Sequence, residues 1–169
     1  MKRMLLTAVA SMALVCGPAA LSETMMGEHK VFLPQDIKWG AAPTSLPAGA
    51  EAAVLYGDPT KEGMFALRVK LPRGYSIPPH THSKGELLTI ISGNFSLGLG
   101  AKMDRTGAVS LAAGSFSSMP PGVPHFAFAN EDTVVQINAM GPWGINYVDP
   151  RDDPRLNVAP KERQAPGRD

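Results

Sequence analysis

Gly74-Tyr75-Ser76-Ile77-Pro78-Pro79-His80-Thr81-His82-Ser83-Lys84-Gly85-Glu86 is the stretch from which the rest of the chain can be read. His80 and His82 are two residues apart, so on an extended backbone both imidazoles leave the same face, near enough to share one ion. Pro78 and Pro79 favour that backbone, because each ring fixes its own φ and restricts the residue before it. Glu86 has the same parity once the chain resumes a strand, and it can bring a carboxylate oxygen to the same face. Seven residues on, Gly93 in Ser92-Gly93-Asn94 is the residue type that a hairpin turn with positive φ needs.

A second cluster follows, Gly114-Ser-Phe-Ser-Ser-Met119-Pro120-Pro121-Gly122-Val-Pro124-His125. Pro121 and Gly122 suit the two central positions of a type II turn, so the chain reverses just before a lone histidine. A third imidazole can thus arrive from a neighbouring strand. The chain has 4 histidines, and three of them fall in these two clusters. Three imidazole nitrogens and one carboxylate oxygen suit a divalent transition metal (Mn, Fe, Ni, Cu, Co or Zn) better than Ca or Mg. His80, His82, Glu86 and His125 are therefore the expected metal ligands. His29 stands alone and reads as solvated.

Outward from the two clusters, the chain from Ala52 reads as short strands between turn residues: Ala52–Tyr56, Met64–Leu71, Glu86–Ser92, Asn94–Leu99, Ala108–Leu111, Ser115–Met119, His125–Ala129 and Thr133–Met140. Phe65, Leu67, Val69 and Leu71 share one face while Arg68 and Lys70 share the other, and Phe95, Leu97 and Leu99 repeat the period of two. Glu86–Ser92 is apolar on both faces, so its outer face should be covered by the leader, the second sheet or another subunit. Strands without a helical period between them indicate an all-β sandwich or barrel over residues 50–148. Residues 23–49 read as an irregular leader or a short strand, and 149–169 as an extended, proline-rich tail.

The first 22 residues have a basic start, Lys2-Arg3, an apolar run from Met4 to Val15, and the small-x-small site Ala20-Leu21-Ser22. This is the order of a cleavable export signal, with cleavage expected after Ser22 and a periplasmic or secreted destination. Of the 169 residues, 147 would remain, with 14 basic against 15 acidic groups once Lys2 and Arg3 are gone. Such a balance does not suit a nucleic-acid partner. The one cysteine, Cys16, lies inside the signal, so the mature chain would have neither a disulfide nor a thiolate site. No later apolar run reaches the roughly 20 residues of a membrane span.

The two clusters resemble the two motifs of the cupin superfamily. Gly74, His80, His82, Glu86 and Gly93 match every fixed position of G-x5-H-x-H-x3-E-x6-G, and Gly114, Pro120, Gly122 and His125 match G-x5-P-x-G-x2-H-x3-N. The pattern then departs: Ala129 occupies the place of the asparagine and Asn130 comes one residue late, though that asparagine is not a metal ligand. The resemblance implies an antiparallel jelly-roll β-barrel with a metal held inside by His80, His82, Glu86 and His125. It also implies a small-molecule ligand or substrate and makes a homodimer plausible. The superfamily holds dioxygenases, decarboxylases, isomerases and epimerases as well as proteins without catalysis, so fold does not settle function.

The expected function is that of an exported, single-domain metal-binding cupin that binds or transforms a small organic molecule, with a dioxygenase-type oxidoreductase as its enzymatic form. The alternative is a non-catalytic metal- or ligand-binding and sensing module. A metal-independent epimerase would need an acid–base pair in the pocket, and none is visible. Leu88, Ile90 and Ala127 share the ligand parity and should wall the pocket, with Gln136 or Asn138 as a polar contact. Trp39 and Trp143 could line a substrate mouth but read sooner as packing residues, as do Phe116, Met119, Phe126 and Phe128, and Lys84 reads as an exposed turn residue with no catalytic role.

Overall fold

Alternation of apolar and polar side chains needs two facing sheets to be satisfied, and the chain supplies them. The structure, a computed structural model, describes residues 29–156, so the expected signal 1–22 and the tail beyond 156 lie outside the described residues. The chain separates into Met1–Val31 and Phe32–Asp169, and the architecture here is that of the second unit. Its strands are β1 (Gly40–Ala41), β2 (Glu51–Tyr56), β3 (Gly63–Leu71), β4 (Ser76–Thr81), β5 (Glu86–Ser92), β6 (Asn94–Leu99), β7 (Val109–Ala112), β8 (Phe116–Met119), β9 (His125–Ala129), β10 (Thr133–Gly141) and β11 (Asn146–Tyr147). They form a six-stranded sheet, β1-β2-β3-β10-β5-β8, and a five-stranded sheet, β11-β4-β9-β6-β7. All pairings are antiparallel.

The fold is thus the jelly roll expected, but its two sheets are separate and do not close into one hydrogen-bonded barrel. Between them lies the core: Phe65, Leu67, Val69 and Leu71 of β3, Leu88 and Ile90 of β5, and Val135, Ile137 and Ala139 of β10 face Ile77, Phe95, Ala127 and Ala129 of the other sheet. Burial of one parity in β3 and β10 is the physical content of the alternation read in the sequence. Eight strands lie where the sequence places them, within a residue or two at each end. β1 is the short strand that the leader allowed for, whereas the sequence reading lacks β11, only two residues long, and β4, where Pro78 and Pro79 obscure the strand. There the pairing with β9 shifts between Ile77 and His80, because proline has no N–H to give the ladder.

Several expectations are corrected. Leu99 does not follow Phe95 into the core but is 69% exposed at the strand end, and Phe116 is 61% exposed on edge strand β8. Of the three covers expected for the outer face of β5, neither the described part of the leader nor the second sheet lies over Leu87 and Ile91, which are exposed in the single chain. In the leader, Pro34–Asp36 forms a 3-10 turn, β1 pairs with β2, and Ile37, Ser45 and Leu46 are buried. Two tyrosine hydroxyls hold this segment, Tyr75 donating to the Pro47 carbonyl and Tyr147 to that of Ser45. The first residues of the tail are not extended: Pro150–Asp152 is a 3-10 turn capped by Asp149, and Arg155 donates to the Ile145 carbonyl. No helix among the described residues is long and apolar enough to cross a membrane.

Candidate metal centre

The register of β4 against β9 sets His80 directly opposite His125. Thr81 ends β4, and His82 follows in the turn whose carbonyl accepts from Gly122 N–H at 2.9 Å. That contact joins the two sequence clusters through the Pro121-Gly122 turn, where Gly122 has φ +73°, the left-handed conformation that glycine adopts at no steric cost. One ring nitrogen from each of His80, His82 and His125 lies within 4.8 Å of the others. Their ring centroids are 4.2 Å (His80–His125), 5.0 Å (His80–His82) and 5.2 Å (His82–His125) apart.

Each imidazole has its Nδ1 against a backbone carbonyl: His80 on Pro78 at 2.7 Å, His82 on Gly144 at 2.8 Å and His125 on Val123 at 2.9 Å. A carbonyl only accepts, so each Nδ1 carries a proton, and Nε2 is the ring atom that remains for an ion. All three rings are buried. Burial pushes His80 down to about 3, helped by the neighbouring His125, and burial likewise lowers His125. The neutral, fixed tautomer is the one a metal requires, so the donor set fits a transition-metal ion.

Glu86 opens β5 in the opposite sheet, and it is 8% exposed. Its Oε2 lies 3.5 Å from His82 Nε2 and accepts the indole N–H of Trp143 at 2.9 Å. The three imidazoles therefore come from β4, β9 and the turn after β4 and form the mutually close donor group, whereas the Glu86 carboxylate, from the facing sheet, lies beside His82 but outside that group. The cavity they share holds about 40 Å³ and is lined otherwise by apolar groups, among them Leu88, Leu97, Ala127 and Val135. Leu46, Trp143 and Ile145 also line it.

Leu88 and Ala127 wall the cavity as expected, whereas Ile90 belongs to the core beyond it. Gln136 and Asn138 do not reach it: they alternate with the inward Val135 and Ile137, and Gln136 instead bonds Arg68 and Asn138. Lys84 donates to Glu62 and to the Gly141 carbonyl, and His29 is exposed. Trp39 packs under Lys70, whose Nζ is 4.2 Å from the ring centroid. Trp143, which the sequence favours as a packing residue over one lining a substrate mouth, lines the cavity and bonds Glu86. Its signal was register: Ala139 pairs with Glu86, so a chain leaving β10 passes the carboxylate within a few residues.

Two facing antiparallel sheets with three buried imidazoles from β4, β9 and the turn after β4, and a carboxylate from the facing sheet, make this a jelly roll of the cupin type. Residues 30–146 match the family described as a domain of unknown function, DUF4437, and the chain belongs to that family. No curated protein matches the sequence. Among solved structures, the polyketide cyclase RemF from Streptomyces resistomycificus is similar with a TM-score of 0.62 and 18% identity, over 75% of this chain and 90% of that one. An acetylacetone dioxygenase from Acinetobacter johnsonii gives 0.56 and 17% over 75% and 82%. An RmlC-like cupin from Shewanella frigidimarina NCIMB 400 gives 0.52 and 16% over 68% and 91%. At these identities the likeness is one of fold.

Proposed function

We propose that the protein is a metal-dependent cupin in which His80, His82, His125 and Glu86 hold one divalent transition-metal ion facing a small apolar cavity. The observation that carries this reading is the set of three buried imidazoles, each with Nδ1 tied to a carbonyl and with one ring nitrogen of each within 4.8 Å of the others. When bound, such an ion supplies Lewis acidity and a coordination position for a ligand. The chain's own residues contribute orientation, through the three carbonyls, and exclusion of water, through Leu88, Leu97, Ala127 and Val135. A cavity of about 40 Å³ takes a few waters or an equally small ligand. The ligand class is therefore a small organic molecule with a polar end for the ion and an apolar remainder.

The test is metal content. Chelator-stripped protein reloaded with Mn, Fe, Ni, Cu, Co or Zn in turn should take up one ion per chain, and His125→Ala should abolish uptake. An ion present at 100 times its dissociation constant should stabilise the fold by about 2.7 kcal/mol, read as a higher melting temperature. Uptake by none of the six metals would sink the reading. Oxygen consumption by the iron, copper, nickel or manganese form with a small diketone, phenol or acid would mark the dioxygenase-type oxidoreductase. A closed tetrahedral zinc site without exchangeable water would mark the non-catalytic module.

Two further parts belong to this reading. The outer face of the six-stranded sheet exposes Met64, Leu87, Ile91, Phe116 and Met140, which supports a homodimer built on that face. Residues 1–22 support export of the mature chain to the periplasm or the medium.

A further inference from the structure

Trp143 does more than wall the cavity. Its indole N–H donates to Glu86 Oε2 at 2.9 Å, and that same oxygen is the one 3.5 Å from His82 Nε2. The ring stacks on His82, with centroids 5.4 Å apart and planes at 21°, and meets fully buried Phe65 edge-on at 6.3 Å. Its backbone N–H donates to the Pro59 carbonyl at 2.7 Å, and the next carbonyl, of Gly144, holds His82 Nδ1 at 2.8 Å. Two consecutive residues thus grip two of the four proposed ligands.

A carboxylate oxygen has two lone pairs. On Oε2 the indole takes one, and the other remains for an ion shared with His82, whose Nε2 is 3.5 Å away. Without that bond, Glu86 would choose among several rotamers, and the ion would have to recover the lost entropy on binding. With it, Oε2 is held on the His82 side of the cavity, 3.5 Å from Nε2. We propose that Trp143 is the positioning residue of the metal centre, its indole N–H fixing Glu86 in the ligating rotamer before the ion arrives. The inference rests on the metal-centre reading and adds to it a residue that touches no ion.

The competing role is space-filling, which a phenyl ring would perform equally well. Trp143→Phe keeps an aromatic ring against His82 and Phe65 and removes the donor. Copper(II) is the probe, titrated against a competing chelator into the stripped unsubstituted protein, Trp143→Phe, Glu86→Gln and the double variant, with electron paramagnetic resonance of each copper form. Trp143→Phe should lose affinity by roughly 10–100-fold, and its spectrum should move toward that of Glu86→Gln. The double variant should lose no more than Glu86→Gln alone, as two groups acting through one bond require. Unchanged affinity and spectrum in Trp143→Phe, or independent losses that multiply in the double variant, would overturn the inference and leave the metal centre standing. Failure of the unsubstituted protein to bind copper would remove both. Should Trp143→Phe not fold, the indole N–H proton resonances of stripped unsubstituted protein and Glu86→Gln decide. The Trp143 signal should move and that of Trp39 stay, and a stationary Trp143 signal overturns the inference.

Discussion

At His80 a single proton separates two states of the site. Burial holds its pKa at about 3, whereas an unfolded chain titrates near the ordinary histidine value of about 6.5. Between those values the unfolded state takes a proton that the folded state refuses. Its contribution to stability is complete above about 6.5 and is lost as pH falls toward 3. His125 is lowered in the same direction and adds to the slope. Metal-free protein should therefore melt at progressively lower temperature from pH 6.5 to 5, a window above the titration of Asp58, Asp149 and Asp153, which are all held below their usual range. The slope is at most about 1.4 kcal/mol per pH unit for each proton, and His80→Gln should flatten it. A flat profile in the unsubstituted protein would show the rings to be protonated in the fold. The three histidines were legible in the sequence because parity and a Pro-Gly turn are local facts. Trp143 was not, because its place depends on the pairing of Ala139 with Glu86, 53 residues apart in number and adjacent only once β10 and β5 align.

Strands were legible where one face is buried and the other wet. β3 and β10 alternate cleanly, and both appear in the sequence at their true parity. β9 is buried on both faces, so alternation says nothing about which side Phe126 takes. The answer lies in its partner strand: Gly98 of β6 pairs with Phe126, and a Cβ at Gly98 would sit 2.1 Å from Phe126 Cζ. The ring fills the space that the glycine leaves. Gly98→Ala should cost about 1–3 kcal/mol by overpacking, measured as a lower urea midpoint at unchanged m-value. On the other sheet Phe65, with no exposed surface, anchors β3 between the core and Trp143. Phe65→Ala should cost about 3–5 kcal/mol in the same measurement. A loss below 1 kcal/mol would mean that the site collapses onto the void.

The whole molecule has one feature that no strand reading resolves, an apolar outer face. Cross-strand pairing puts Met64 beside Met140, with Leu87 and Phe116 on the same side of the sheet. The sequence indicated that β5 is apolar on both faces but not what covers the outer one, since burial there depends on something other than the described chain. A homodimer on this face predicts that Leu87→Glu with Met140→Glu shifts the mass in solution from two chains to one while melting temperature at low concentration changes little. A monomeric unsubstituted protein would refute the dimer. Export makes a separate prediction: protein recovered from its native cell envelope or medium should begin at Glu23.

The four proposed ligands are divided three to one between the two sheets, and the sheets share no ladder. A bound ion would be a cross-brace between layers otherwise held together mainly by side-chain packing. Loading it should slow amide exchange in β4 and β9 and, at the same time, in β5 across the gap, so that occupancy of one small point is felt as stiffness by both halves of the sandwich.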